Sequence, residues 1–143
     1  MRAAVWIAMA SLGLAACVSP SDPWEHREAL KKSQKRYTEA IRWGDIEKAS
    51  RYVDPELREA FLALSSSFET VRITDYEIGE LDLEEEKQER AEVDVTYRGY
   101  VMPHYLERRV NEQQVWVRDE GMGNEWRVRP ELAALLDGMG ARR

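Results

Sequence analysis

The spacing of apolar residues changes once along this chain, and the change limits it to a narrow set of folds. Up to Leu64 the apolar positions recur every three or four residues, the period of a helix face: Leu30, Tyr37 and Ile41, then Ile46, Ala49, Tyr52 and Val53, then Leu57, Ala60, Phe61 and Leu64. From Val71 onward the period is two: Val71/Ile73, Tyr76/Ile78, Ala91/Val93/Val95/Tyr97, Val115/Val117 and Trp126/Val128. Pro23 opens the first helix with Asp22 ahead of it as a cap. Trp43-Gly44 closes it, Asp45 caps a second helix, Asp54-Pro55 starts a third, and Ser65-Ser66-Ser67 ends it. Turns are expected at Glu84–Gln88, at Gly99–His104 around Pro103, and at Gly121–Asn124. A last helical turn, with Leu132, Leu135 and Leu136, follows Pro130. Helices followed by a run of strands predict an α+β domain, with N-terminal helices packed on an antiparallel sheet of about four strands.

The chain has 143 residues, enough for one domain, and 43% of them are hydrophobic, enough for a core. Its formal charge of −6 argues against nucleic acid as a partner. Residues 75–92 alone carry nine acids against Lys87 and Arg90, a local −7 that reads as a solvated hairpin. In the first helix, Arg27, Lys31 and Lys35 repeat every four residues, and Glu25, Glu28 and Glu39 partly offset them. That face is read as solvated, with contact to anionic headgroups as the alternative.

The N-terminus carries an address. Met1-Arg2 is followed by an uncharged run, Ala3 to Gly13, too short to span a bilayer and of the length of a secretory signal. It ends in Leu14-Ala15-Ala16-Cys17, which resembles the lipobox of bacterial lipoproteins. The resemblance implies cleavage after residue 16 and acylation of Cys17, the only cysteine of the chain. Residues 17–23 would then form a lipidated tether, 24–137 a single domain, and 138–143 a loose tail. Two or three acyl chains make such an anchor stable. Val18 follows the cysteine where an inner-membrane lipoprotein of enterobacteria has aspartate, so the expected place is the outer membrane, facing the periplasm.

The segment Tyr37–Pro55, YTEAIRWGDIEKASRYVDP, resembles the helical opening of nuclear-transport-factor-2-like proteins, in which a helix ends in Gly-Asp and the next begins at the Asp. The resemblance implies a curved sheet wrapped around helices into a cone, a scaffold shared by isomerases, dehydratases, polyketide cyclases and non-catalytic binding modules, often dimeric through the open sheet face. Such a fold does not determine function.

The candidate chemistry is sparse. Alternation places Ala91, Val93, Val95 and Tyr97 inward, and Glu92, Asp94, Thr96 and Arg98 outward. His26 is expected in an exposed first helical turn, and His104 in a strand connection. In the third strand Val110 and Trp116 share one parity and Val115 and Val117 the other, which a bulge would reconcile. Two of Asn111, Glu112, Gln113 and Gln114 must point inward. Trp43, Trp116 and Trp126 fall at expected core positions, so the candidate pocket is Trp43, Tyr97, Glu112, Gln114 and Trp116. No cofactor is implied, because ligand clusters for a metal, a glycine-rich phosphate loop and a serine elbow are all missing from the sequence. Two functions follow. One is a lipid-anchored, non-enzymatic module binding an envelope protein or a small apolar ligand. The other is a small enzyme of the cone scaffold carried by Tyr97, Glu112 or Gln114.

Overall fold

A computed structural model describes residues 23–119 and 123–141. Cys17, its tether, the Asp22 cap and part of the Gly121–Asn124 turn lie outside the described residues. The order is α1 (Pro23–Arg42), α2 (Ile46–Ser50), α3 (Arg58–Leu62), α4 (Ser65–Phe68), β1 (Val71–Leu83), β2 (Arg90–Val101), β3 (His104–Arg118), β4 (Trp126–Arg129) and α5 (Leu132–Met139). The four strands form one antiparallel sheet in sequence order. The domain is therefore α+β, as the switch of period predicts.

Local chemistry explains most boundaries. Gly44 adopts φ +72°, beyond easy reach of a side-chain-bearing residue, and so ends α1. The Asp45 carboxylate then accepts the Lys48 backbone N–H at 2.9 Å and starts α2. The expected third helix is two short ones, α3 and α4. The serines expected to stop it form α4 instead, which delivers Phe68 to the core at 2% exposure. At the far end α5 continues to Met139, inside the stretch expected to be a loose tail, because Met139 is buried.

The jump in parity within β1, from Val71/Ile73 to Tyr76/Ile78 and back to Leu81/Leu83, is absorbed by register shifts between Ile73 and Asp75 and between Ile78 and Leu81. On β2 the alternation holds: Ala91, Val93, Val95 and Tyr97 are buried. Gly99 is required where β2 pairs closely with β1 opposite Ile73, since a Cβ there would stand 2.4 Å from the Arg72 carbonyl oxygen. The β2–β3 turn is Met102-Pro103, joined by a cis peptide. β4 is short but held on both sides. β3 pairs with one edge, while on the other Asp54 N–H donates to Val128 O (2.9 Å) and Val128 N–H to Tyr52 O (2.8 Å), a parallel bridge from Val53 to Val128.

α1 buries His26, Leu30, Gln34, Tyr37, Thr38, Ala40 and Ile41 against the sheet. His26 is thus not in an exposed turn. Its position repeats the Leu30 stripe one turn earlier, its ring meets the Asn124 side chain, and its carbonyl accepts the Trp126 indole N–H at 3.1 Å. Trp43 is likewise not a core residue: it is 76% exposed, one residue past the end of α1 and out of phase with Tyr37 and Ile41, with its ring under the Arg42 guanidinium at 4.9 Å.

Candidate functional site

The inner face of β3 is polar in its middle. Glu112 and Gln114 point into the core, 2% and 0% exposed, followed by Trp116 at 0%. No register shift interrupts the β2–β3 pairing from Arg90 to Gly99, so the two parities of β3 are reconciled without a bulge there. Val115 and Val117 simply sit half-buried on the opposite face. From β2, Tyr97 reaches the same place, its hydroxyl donating to Glu112 Oε2 at 3.2 Å.

Gln114 organises the cluster. The Trp116 indole can only donate. Its Nε1–H to Gln114 Oε1 (3.2 Å) therefore dictates which way the amide faces and turns the Gln114 NH₂ toward Glu112 Oε2 (3.0 Å), with the Tyr97 hydroxyl and Thr38 Oγ1 at 3.3 and 3.4 Å. From α1, Gln34 Nε2 donates to Thr38 Oγ1 at 3.1 Å and reaches Gln114 Oε1 at 3.4 Å. Tyr37 closes the group with its ring edge-on to Trp116, centroids 5.9 Å apart, and Phe61 6.4 Å away on its other side.

Two buried atoms of this cluster, Glu112 Oε1 and the Tyr37 hydroxyl, have no hydrogen-bond partner. The electrostatics follow from burial. Desolvation pushes Glu112 up to about 7, opposed by the hydrogen bonds from Gln114 and Tyr97, which favour the carboxylate. Burial first, and the Glu112 charge second, raise both Tyr37 and Tyr97 well above the ordinary phenol range. The group can therefore hold or release one proton near neutrality, on Glu112.

Of the residues expected to form a pocket, Tyr97, Glu112, Gln114 and Trp116 converge, and Trp43 does not. The four are packed side chain to side chain, with almost no surface that water can touch. Sequence reasoning missed Gln34, Tyr37 and Thr38 as members. The signal was two polar residues, four apart, on the apolar stripe of the first helix. A cleft of about 190 Å³ lies over Phe61 between Leu57, Leu64 and Pro130–Ala133. His104 stands exposed beside a larger cleft of about 690 Å³ between the β2–β3 turn and the end of α5. Among the described residues, no group of three acidic, histidine or cysteine side chains could hold a metal, and no helix is long and apolar enough to cross a membrane.

No protein family matches the sequence, and no curated protein is similar to it. Among solved structures, TsrD from Streptomyces laurentii is 17% identical, with 81% of this chain and 98% of that chain covered at a TM-score of 0.46. A candidate polyketide cyclase from a Silicibacter species is 13% identical, with 78% and 95% covered at the same score.

Proposed function

We propose that this chain is a bacterial lipoprotein of the cell envelope, anchored through acylated Cys17 at the periplasmic side of the outer membrane, and that its nuclear-transport-factor-2-like domain is a binding module rather than an enzyme. The address rests on Leu14-Ala15-Ala16-Cys17. The observation that carries the module reading is the closure of the interior. Glu112, the one buried acid among the described residues, meets Gln114 and Tyr97 instead of open space, and a reacting group needs a substrate within hydrogen-bond reach. The bound partner is then an envelope protein or a small ligand taken at the surface.

An enzyme is the second reading, favoured by the two partnerless atoms, Glu112 Oε1 and the Tyr37 hydroxyl, beside a carboxyl that titrates near neutrality. Displacement of Phe61 would open them to the 190 Å³ cleft. Glu112 would then exchange a proton with a small apolar substrate of the isomerase or dehydratase kind, and Tyr37 would donate to it. One measurement separates the two readings, the indole N–H resonance of Trp116 during titration with small apolar carbonyl compounds. Slow solvent exchange and an unmoved resonance are expected; a saturable shift, lost in Glu112→Gln, would replace the module with the enzyme. Mass spectrometry of the membrane-fraction protein tests the address, with a diacylglyceryl group on Cys17 and a missing leader as the expected result.

A further inference from the structure

The outer side of α1 is basic in an acidic chain. Arg27, Lys31, Lys32, Lys35 and Arg36 stand exposed along it against Glu25, Glu28 and Glu39, a net +2 in a chain of −6. At about 100° per residue, Trp24, Lys31 and Lys35 fall within about 20° of one line, with Arg27 about 60° to one side. Two of the largest apolar side chains stand exposed at the ends of the helix: Trp24, 67%, on that line, and Trp43, 76%, just past the last turn and about 100° round from it. The Arg42 guanidinium over the Trp43 ring, itself bound to Thr74 O at 3.0 Å, props that indole at the mouth of α1. By helical rise the two tryptophans are about 28 Å apart.

Cations along a helix with indoles at both ends match a surface of anionic headgroups. Lysine and arginine are drawn to the negative potential, and tryptophan settles at the boundary between headgroup and acyl chain. The apolar stripe of α1 is already spent on the core, which leaves no stripe to insert, so contact is by charges and indoles alone. Position in the chain agrees, since only five residues separate Cys17 from Pro23, a reach of roughly 20 Å. Among the described helices α1 alone carries a net positive charge, and in sequence it follows directly on the tether of the residue expected to carry lipid, while the acids of residues 75–92 lie on other elements.

We propose that α1 lies along the membrane as a docking face for anionic lipid, with Arg27, Lys31 and Lys35 over the headgroups and Trp24 and Trp43 at the interface. The orientation rests on the lipid-anchor reading; the face itself does not. It holds the domain flat against the bilayer and directs the outer face of the sheet and the β2–β3 turn away from the tether.

The test uses the purified mature protein on vesicles of phosphatidylethanolamine with phosphatidylglycerol, some carrying bromine on the acyl chains, and on phosphatidylcholine vesicles as the neutral control. Tryptophan fluorescence is expected to be quenched by the brominated anionic vesicles. Trp24→Phe and Trp43→Phe should each remove part of that quenching, while buried Trp116 and Trp126 remain unquenched. The triple variant Arg27→Glu, Lys31→Glu, Lys35→Glu should lower the quenching to the neutral-vesicle level, with the near-ultraviolet dichroism of the buried indoles unchanged. Equal quenching on both vesicle types, or quenching indifferent to charge reversal, overturns the face. So does a dimer in detergent that shields Trp24 and Trp43 without lipid, which would assign the face to a second copy. The mass of the Cys17 peptide is read in parallel: an unmodified Cys17 with quenching intact removes the anchor and keeps the face, whereas an acylated Cys17 without quenching does the reverse.

Discussion

Replacing Glu112 by glutamine keeps the side chain's shape and removes the charge that burial opposes. In the fold Glu112 titrates at about 7, against 4.5 for an unhindered glutamate. Well below 4.5 both the folded and the unfolded chain hold the proton, and the group does not affect stability. Between 4.5 and about 7 the unfolded chain releases its proton while the folded one keeps it, so stability falls as pH rises. Above about 7 the whole penalty stands, about 3 kcal/mol at roughly 1.4 kcal/mol per pH unit of the gap. Glutamine escapes this penalty and can still offer an oxygen to Tyr97 and Gln114, as Glu112 Oε2 does. Its NH₂ then takes the place of Oε1, which has no partner, and an unpaired buried amide costs about 1 to 2 kcal/mol. Glu112→Gln should therefore be more stable than the parent by about 1 to 2 kcal/mol at about pH 8, and less stable by a similar amount at about pH 4. Urea unfolding of both proteins at the two pH values measures the sign. The reasoning fails if the difference between variant and parent is the same at both.

Three further outcomes follow from the same structure. Tyr97→Phe removes the hydroxyl that donates to Glu112 Oε2, so it should cost about 1 to 2 kcal/mol and move the Glu112 titration, followed by carboxyl carbon NMR, further upward. Gly99→Ala places a methyl group against backbone, not against a side chain that can swing aside. A loss of about 3 kcal/mol in chemical denaturation is expected, and a loss under about 1 kcal/mol would mean that β1 and β2 do not pair so closely there. Trp43→Ala, for all its size, should change stability by no more than about 0.5 kcal/mol, and a larger loss would show the indole packed in solution.

Period and capping made the architecture legible. The change at Val71, the Gly44-Asp45 step and the alternation from Ala91 to Tyr97 each have one physical reading, and each element lies where that reading places it. Reading failed where tertiary contacts override local pattern. Ser65–Ser67 look like a terminator, yet the drive to bury Phe68 makes them a helical turn. Trp43 looks like core by its composition, but its phase on α1 turns it outward. His26 looks solvated so close to a helix start, until the Trp126 indole comes from a hundred residues away to use its carbonyl. Half of the polar cluster was visible because two of four consecutive polar residues in a strand must face inward. The half on α1 was hidden because Tyr37 passes for an apolar stripe residue and its hydroxyl is invisible to periodicity.

The bridge between Val53 and Val128 also bears on how the molecule behaves at high concentration. A sheet can recruit a foreign strand only along a border with free amides and carbonyls. Along β4 itself that border is taken by Tyr52 and Asp54. On the β1 side the register shifts twice and the strand carries four acids, of which Asp75 and Glu77 pair with Arg98 and Arg109, so that the repulsion of an approaching copy comes from Glu80 and Asp82. The β1 and β4 margins are therefore poor templates for a foreign strand, which favours separate copies at high concentration.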